Sequence, residues 1–352
     1  EAYAEMLVER CIGVQEGWQV IVKTRSTRSL PLAQAVVRVI ARNGAYALPR
    51  IAATSFAYEW VRHAPEGMLP IPAELDLHNG QTADAWVIID DPENTRDASD
   101  ISAERLGSYR KAIRDVEMKR MTFEVPWVGC QYPTAALAQD AGMSVTQFAD
   151  FLFGACLLDW DAEGQRMRKY ADRFDAASEV RIVAEGTDIT LSIDGRDGMV
   201  DDGHLNMPGG EFFYCPVEDG TNGVISFTEF PGVYLGNEVS GVRLEFKDGK
   251  VIDATAETNE EFLVKTLDSD PGARVLGELG IGCNPGITRH MKNTLFDEKM
   301  NGTIHLAVGA GFPFMGGKNE SSVHWDMVKD LRNGGQILLD GEVVQEGGNW
   351  LI

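Results

Sequence analysis

The chain has 352 residues, 44% of them hydrophobic and 24% charged, a composition that fits a soluble globular protein of about two domains and excludes disordered, collagenous and coiled-coil classes. Its 54 acidic residues against 32 basic ones give a formal net charge of −22. No basic run forms a patch able to follow a phosphate backbone, so nucleic acid is not expected as a partner. The acidic surplus instead attracts cations, either metal ions or the amino groups of small substrates.

No segment offers the ~18 uninterrupted apolar residues of a membrane span, so no membrane partner and a cytoplasmic location are expected. Cys11, Cys130, Cys156, Cys215 and Cys283 form no CxxC pair. They suggest neither a disulfide framework nor a thiolate zinc cage, and are expected to be buried or incidental thiols.

In chain order, Gln19 to Lys23 is a short β-branched strand and Leu30 to Asn43 carries apolar residues at helical spacing. Ala85 to Ile89 is an apolar strand, and Ser102 to Val116 a charged amphipathic helix. His63 and His78 fall in a loop-like stretch ahead of that strand. Strand alternating with helix implies a parallel sheet with covering helices. Thr134 to Trp160 reads as one or two helices, broken at Gly142, with Ser144 as N-cap of the second. A helix rich in both charges follows at Asp161 to Phe174.

Near Val180 the period changes to two. Strands are expected at Glu179 to Glu185, Asp188 to Ile193, Glu211 to Val217, Gly223 to Thr228, Gly241 to Phe246 and Lys250 to Ala256. Turn signals stand at Asp194-Gly195, Asp219-Gly220, Asn222-Gly223 and Asp248-Gly249. Helices are expected at Asn259 to Asp268 and near Asn284 to Lys292, with His290 at a helix end. The fold class is therefore α/β, with an N-terminal parallel α/β domain over residues 1–176 and a mostly antiparallel, β-rich α+β domain over 177–352.

The chemistry concentrates in the second half. In Ser322-Val323-His324-Trp325-Asp326-Met327 the alternation of a strand sends Val323, Trp325 and Met327 to one face, with His324 and Asp326 on the other. In Thr303 to Val308 the same arithmetic sets His305 beside small Thr303 and Ala307, with Ile304, Leu306 and Val308 opposite. Glu211 opens an apolar strand, where an unpaired carboxylate is costly. Glu278 sits in the apolar, glycine-rich LGELGIG, residues 276–282. Two imidazoles and three carboxylates are a ligand set suited to one or two Zn, Mn or Co ions in a hydrolytic site. A bridging carboxylate lets two cations sit about 3.5 to 4 Å apart, activating water and polarising a carbonyl together. The chain lacks GxGxxG, GxxxxGK[ST] and GxSxG motifs in usable positions.

The segments TDITLSIDGR (187–196), DDGHLNMPGGEFF (201–213), LGELGIGCNPGI (276–287), GTIHLAVGAGFP (302–313) and GGKNESSVHWDM (316–327) resemble the metallo-aminopeptidases of peptidase family M29, the aminopeptidase T type. The resemblance implies a cocatalytic site with Glu211, Glu278, His305, His324 and Asp326 as metal ligands. It also implies Glu211 or Glu278 as proton carrier, short peptides or a small amide as substrate, and a homodimer. The family pattern places a tyrosine seven residues after the first ligand histidine, and Phe312 stands there instead. A phenyl ring neither ligates a cation nor donates a hydrogen bond, so a weaker or altered activity is expected, with Tyr214 and Tyr234 as candidate substitutes. Relatives of the family include Fe(II) ring-cleaving dioxygenases of the dihydroxypyridine type. These supply the alternative reading, an iron site of His305, His324 and Asp326.

Overall fold

The computed structural model describes residues 1–51 and 53–352. The chain divides into two compact units, Glu1–Leu157 with Gly203–Pro208, and Leu158–Asp202 with Gly209–Ile352. Helix Trp160–Asp175 is part of the second unit, because Met167, Ala171 and Phe174 on its apolar face are fully enclosed in that unit's core.

The first unit is built on a parallel sheet ordered Tyr46–Ile51, Gln19–Thr24, Ala85–Asp90, Trp127–Gln131 and Asn206–Met207. Its inner strands are apolar on both faces, as parallel strands covered by helices require. Helices Leu30–Arg42 and Ala103–Val116 stand where periodicity puts them. Ser144 forms a full capping box with Gln147 at the start of Val145–Cys156. The stretch holding His63 and His78 is helical rather than loop-like: His63 ends Thr54–His63 and His78 lies within Glu74–Thr82. All five cysteines are buried, and no disulfide forms among the described residues.

The second unit stacks two antiparallel sheets around one core. The larger has eight strands in the order Lys250–Thr255, Val242–Lys247, Asn222–Phe227, Thr187–Ser192, Glu179–Ala184, Gln336–Leu339, Glu342–Glu346, Asn349–Trp350. The smaller runs His324–Asp330, Thr303–Gly309, Leu276–Gly282, Glu211–Tyr214, Met199–Asp201. Alternation sends Trp325, Met327, Leu306, Val308, Leu279, Ile281, Phe212 and Tyr214 of the smaller sheet into the same apolar cluster as Val180, Ile182, Leu191, Ile225 and Leu244 of the larger.

Two local expectations give way to sheet pairing and loop packing. Asn222-Gly223 is no turn but the start of a strand: Asn222 pairs with Thr190, and Gly223, at φ +118, lies where a Cβ would meet the Asp188 carbonyl at 2.3 Å. No helix forms at 284–292. There the Asn284 side chain folds back, donating to Gly209 O at 2.9 Å and accepting from Gly286 N at 2.8 Å, a local bonding pattern that competes with helix formation. The short helix Thr294–Asp297 follows, and His290 stacks on Phe230 with Nε2 at 3.2 Å from Asp297. By contrast, Asp248-Gly249, both at positive φ, turn the hairpin between Val242–Lys247 and Lys250–Thr255. Among the described residues, no helix is long and apolar enough to cross a membrane.

Candidate metal centre

The face of the smaller sheet turned away from the core carries all five sequence-selected residues. Register brings them together: Asp326 pairs with Ala307, Ala307 with Glu278, His305 with Gly280, His324 with Gly309, and Glu211 with Gly282. Opposite residues of an antiparallel pair share a face, so four neighbouring strands deliver their polar groups to one spot while their alternate residues fill the core.

The intervening positions are small, and they have to be. A Cβ on Gly280 would lie 1.9 Å from Cε1 and 2.0 Å from Nε2 of His305, so the imidazole lies directly over this glycine. A bulge between Leu276 and Glu278 keeps Leu276 on the core face and Glu278 on the other. At the bulged Gly277 a Cβ would meet the Ala310 carbonyl at 2.4 Å.

Both histidines are held the same way. His305 Nδ1 lies 3.0 Å from the Glu298 carbonyl, and His324 Nδ1 lies 2.9 Å from the Ala310 carbonyl. A carbonyl can only accept, so Nδ1 carries the proton in each and Nε2 faces inward, the arrangement that orients an imidazole as a metal ligand. His305 Nε2 lies 3.4 Å from Glu211 Oε2 and 3.4 Å from Glu278 Oε1. His324 Nε2 lies 3.1 Å from Glu278 Oε2 and 3.7 Å from Asp326 Oδ1. Glu278 therefore spans the two imidazoles, one oxygen to each.

These acceptors converge with too few donors. Glu211 Oε2 and Asp326 Oδ1 are buried and have no hydrogen-bond partner, an arrangement that is costly unless a cation joins it. Glu211, Glu278 and His305 form one group able to hold an ion, Glu278, His324 and Asp326 a second, and Glu298, His305 and Asp326 a third; within each group the ligand atoms lie within 4.8 Å of one another. The 3.1 to 3.7 Å separations match the edge of a tetrahedron with metal–ligand bonds of about 2.1 Å, which is about 3.4 Å. The residues fit a divalent metal.

The electrostatics give the same answer. Burial opposes charge on His305, but Glu278, Glu211 and Asp326 outweigh it and push its pKa up to about 10. Burial likewise opposes charge on His324, and Asp326 and Glu278 raise it to about 10. Burial raises Glu278, yet the two histidines bring it down to about 2. Without metal, the site draws its positive charge from protons.

Sequence reasoning passed over three neighbours. Glu298 lies in the third group, and burial raises its pKa to about 8 against the pull of Lys299. Lys299 is wholly enclosed, with Nζ 2.8 Å from Glu211 Oε1, ion-paired to Glu298 and 3.9 Å from Asp201 Oδ2. Asp201 pairs with Glu211 across the sheet edge. In the sequence, Asp-Glu-Lys at 297–299 has the look of a solvated surface turn, and no local signal marks it as internal.

Phe312 stands at the site, its ring 5.2 Å from that of His324 and 5.7 Å from that of Phe213. Neither candidate tyrosine replaces it. Tyr214 points into the core, its hydroxyl donating to Asp175 Oδ1 at 2.6 Å or Ala171 O at 3.0 Å, and Tyr234 stacks on Trp325 on the core side of the sheet.

Fold and site together present imidazole and carboxylate groups on one sheet face in an arrangement that fits a divalent metal. Residues 1–350 match the family described as thermophilic metalloprotease (M29), and the chain belongs to that family. Aminopeptidase 2 of Geobacillus stearothermophilus is 27% identical over 99% of this chain and 97% of its own. Aminopeptidase AmpS of Bacillus subtilis (strain 168) is 32% identical over 54% of each. The solved structure of wild-type AmpT from Thermus thermophilus superposes with a TM-score of 0.86 at 22% identity, over 99% of this chain and 98% of that one, and shows the same fold. The M29 assignment makes the protein a metal-dependent hydrolase of the aminopeptidase type. The dioxygenase reading gains no support from these relatives.

Proposed function

We propose that this M29 enzyme removes N-terminal residues from short peptides, or hydrolyses a related small amide, with Glu211, Glu278, His305, His324 and Asp326 holding one or two ions of Zn, Co or Mn. The observation that carries this reading is the placement of Glu278 with one oxygen toward each inward-facing imidazole, the disposition of a carboxylate shared by two cations. Bound ions would supply an activated water and polarise the scissile carbonyl.

The chain's own residues do the rest. The Glu298 and Ala310 carbonyls keep both imidazoles in the ligating tautomer. A site carboxylate, Glu211 or Glu278, takes the proton from the water and returns it to the leaving amine. Phe312 and Phe213 give the His324 side of the site an apolar wall. The same reading makes the enzyme a cytoplasmic homodimer.

The test uses protein stripped of metal and reloaded separately with Zn, Co, Mn or Fe(II), assayed on chromogenic aminoacyl substrates and their N-acetylated counterparts. Hydrolysis of the free amines alone is expected. Oxygen uptake with hydroxylated pyridines and no hydrolysis with any metal would refute the proposal. Light scattering on the purified protein tests the dimer.

A further inference from the structure

Lys299 has no role in the reading above, yet its ammonium is completely enclosed. Burying an ammonium is expensive, and buried ion pairs can commonly be replaced by apolar packing without loss of stability. Its placement is more specific than a stability role requires. Nζ lies 2.8 Å from Glu211 Oε1, while the other oxygen of that carboxylate, Oε2, is unpartnered and 3.4 Å from His305 Nε2.

The main chain around Lys299 is fixed against the ligand strands. Its carbonyl accepts from Asn284 N at 2.9 Å, and at Gly282, the register partner of Glu211, a Cβ would come within 2.1 Å of the Met300 carbonyl. The adjacent Glu298 carbonyl holds His305 Nδ1. Residues 298 and 299 thus support two of the three members of the Glu211, Glu278 and His305 group, one through a carbonyl and the other through an ammonium.

We propose that Lys299 is a positioning residue of the metal centre, occupying Glu211 Oε1 so that the carboxylate offers a cation only Oε2. The proposal rests on the assignment of Glu211 as a ligand. With Oε1 held, Glu211 would offer an ion one oxygen and leave room for water. With Oε1 released, the carboxylate can chelate through both oxygens and fill that room.

The test is a Co²⁺ titration of metal-free protein, followed by visible absorption and calorimetry, on wild type, Lys299→Met and Lys299→Gln. Met fills the volume without a donor, whereas Gln keeps an uncharged donor for Glu211 Oε1. Lys299→Met is expected to bind one equivalent of Co²⁺ more tightly, because the freed Oε1 adds a ligand atom and a charge that repels the cation is gone. Its visible bands should weaken as coordination rises, and Lys299→Gln should keep the wild-type spectrum. A Lys299→Met protein that melts lower but titrates and absorbs like wild type would show a purely structural lysine and overturn the proposal, as would identical spectral changes in both variants. Should Lys299→Met fail to fold, Lys299→Gln decides alone: a wild-type spectrum supports the proposal and an altered one overturns it. A wild-type protein that takes up no Co²⁺ would sink the metal assignment itself, a result distinct from failure of the lysine's role.

Discussion

Replacing Gly280 by alanine adds one methyl group and puts it where the His305 ring lies. The backbone at Gly280 is not in the left-handed region, so alanine meets no conformational penalty and the contact alone decides the outcome. The new Cβ would be 1.9 Å from Cε1, 2.0 Å from Nε2 and 2.7 Å from Nδ1. Carbon contacts are comfortable at about 3.5 Å or more, so the ring must retreat by about 1.5 Å. It has little room to do so, being 1% exposed and tied through Nδ1 to the Glu298 carbonyl. Metal ligands tolerate displacements of about 0.2 Å. The variant is therefore expected to lose at least ~10²-fold in kcat/KM, the scale of a 1 Å misplacement in an active site, and about 1–3 kcal/mol of stability from overpacking. Steady-state hydrolysis of a chromogenic aminoacyl substrate, metal per chain by mass spectrometry, and denaturant unfolding measure the three effects. Full metal content with activity close to wild type would refute the reasoning, since it would mean that His305 need not stay where it lies.

Three other outcomes follow from the same geometry. Phe312→Tyr adds a hydroxyl on the ring beside His324 and is expected to raise kcat by up to ~10²-fold, the order of one well-placed donor; no gain on any aminoacyl substrate would count against Phe312 lying at the reacting end of the site. Tyr214→Phe removes a hydroxyl hydrogen-bonded inside the core and should cost about 1–3 kcal/mol in stability while leaving metal content and kcat untouched. In metal-free protein, His305 and His324 rise from 6.5 to about 10 on folding, so their stabilising contribution is complete below pH 6.5 and is lost as pH climbs through 10. Glu278 falls from 4.5 to about 2, so its contribution is present above pH 4.5 and lost as pH drops through 2. Melting of metal-free protein should therefore decline from pH 6.5 to 10, with added metal restoring more at the alkaline end, where fewer protons compete for the ligands; a flat alkaline profile in both forms would contradict it.

Much of the centre was legible because period two is a strong signal when one face is apolar and the other chemical. His305 among Ile304 and Leu306, and His324 with Asp326 around Trp325, declare their faces without any partner being known. Glu211 announced itself as a charge at the mouth of an apolar strand. Lys299 and Glu298 did not, because each borrows its burial from strands far away in sequence, Glu211–Tyr214 and Thr303–Gly309. Asn222-Gly223 misled for a related reason. Its turn preference is local, and the pairing of Asn222–Phe227 with Thr187–Ser192 outweighs it. The helix expected at 284–292 lost to the capped loop of Asn284, and the tyrosines could be placed only once strand parity was known, since an even step from Phe212 sends Tyr214 inward.

The strand Leu276–Gly282 carries three glycines in seven residues, and such a segment has little tendency of its own to become extended. It takes shape only when Glu211–Tyr214 and Thr303–Gly309 flank it, and only then does Glu278 reach the point midway between the imidazoles. An order of assembly follows. Ions held by Glu278 and the two imidazoles would find these ligands together only in the paired sheet, so metal uptake would follow strand pairing.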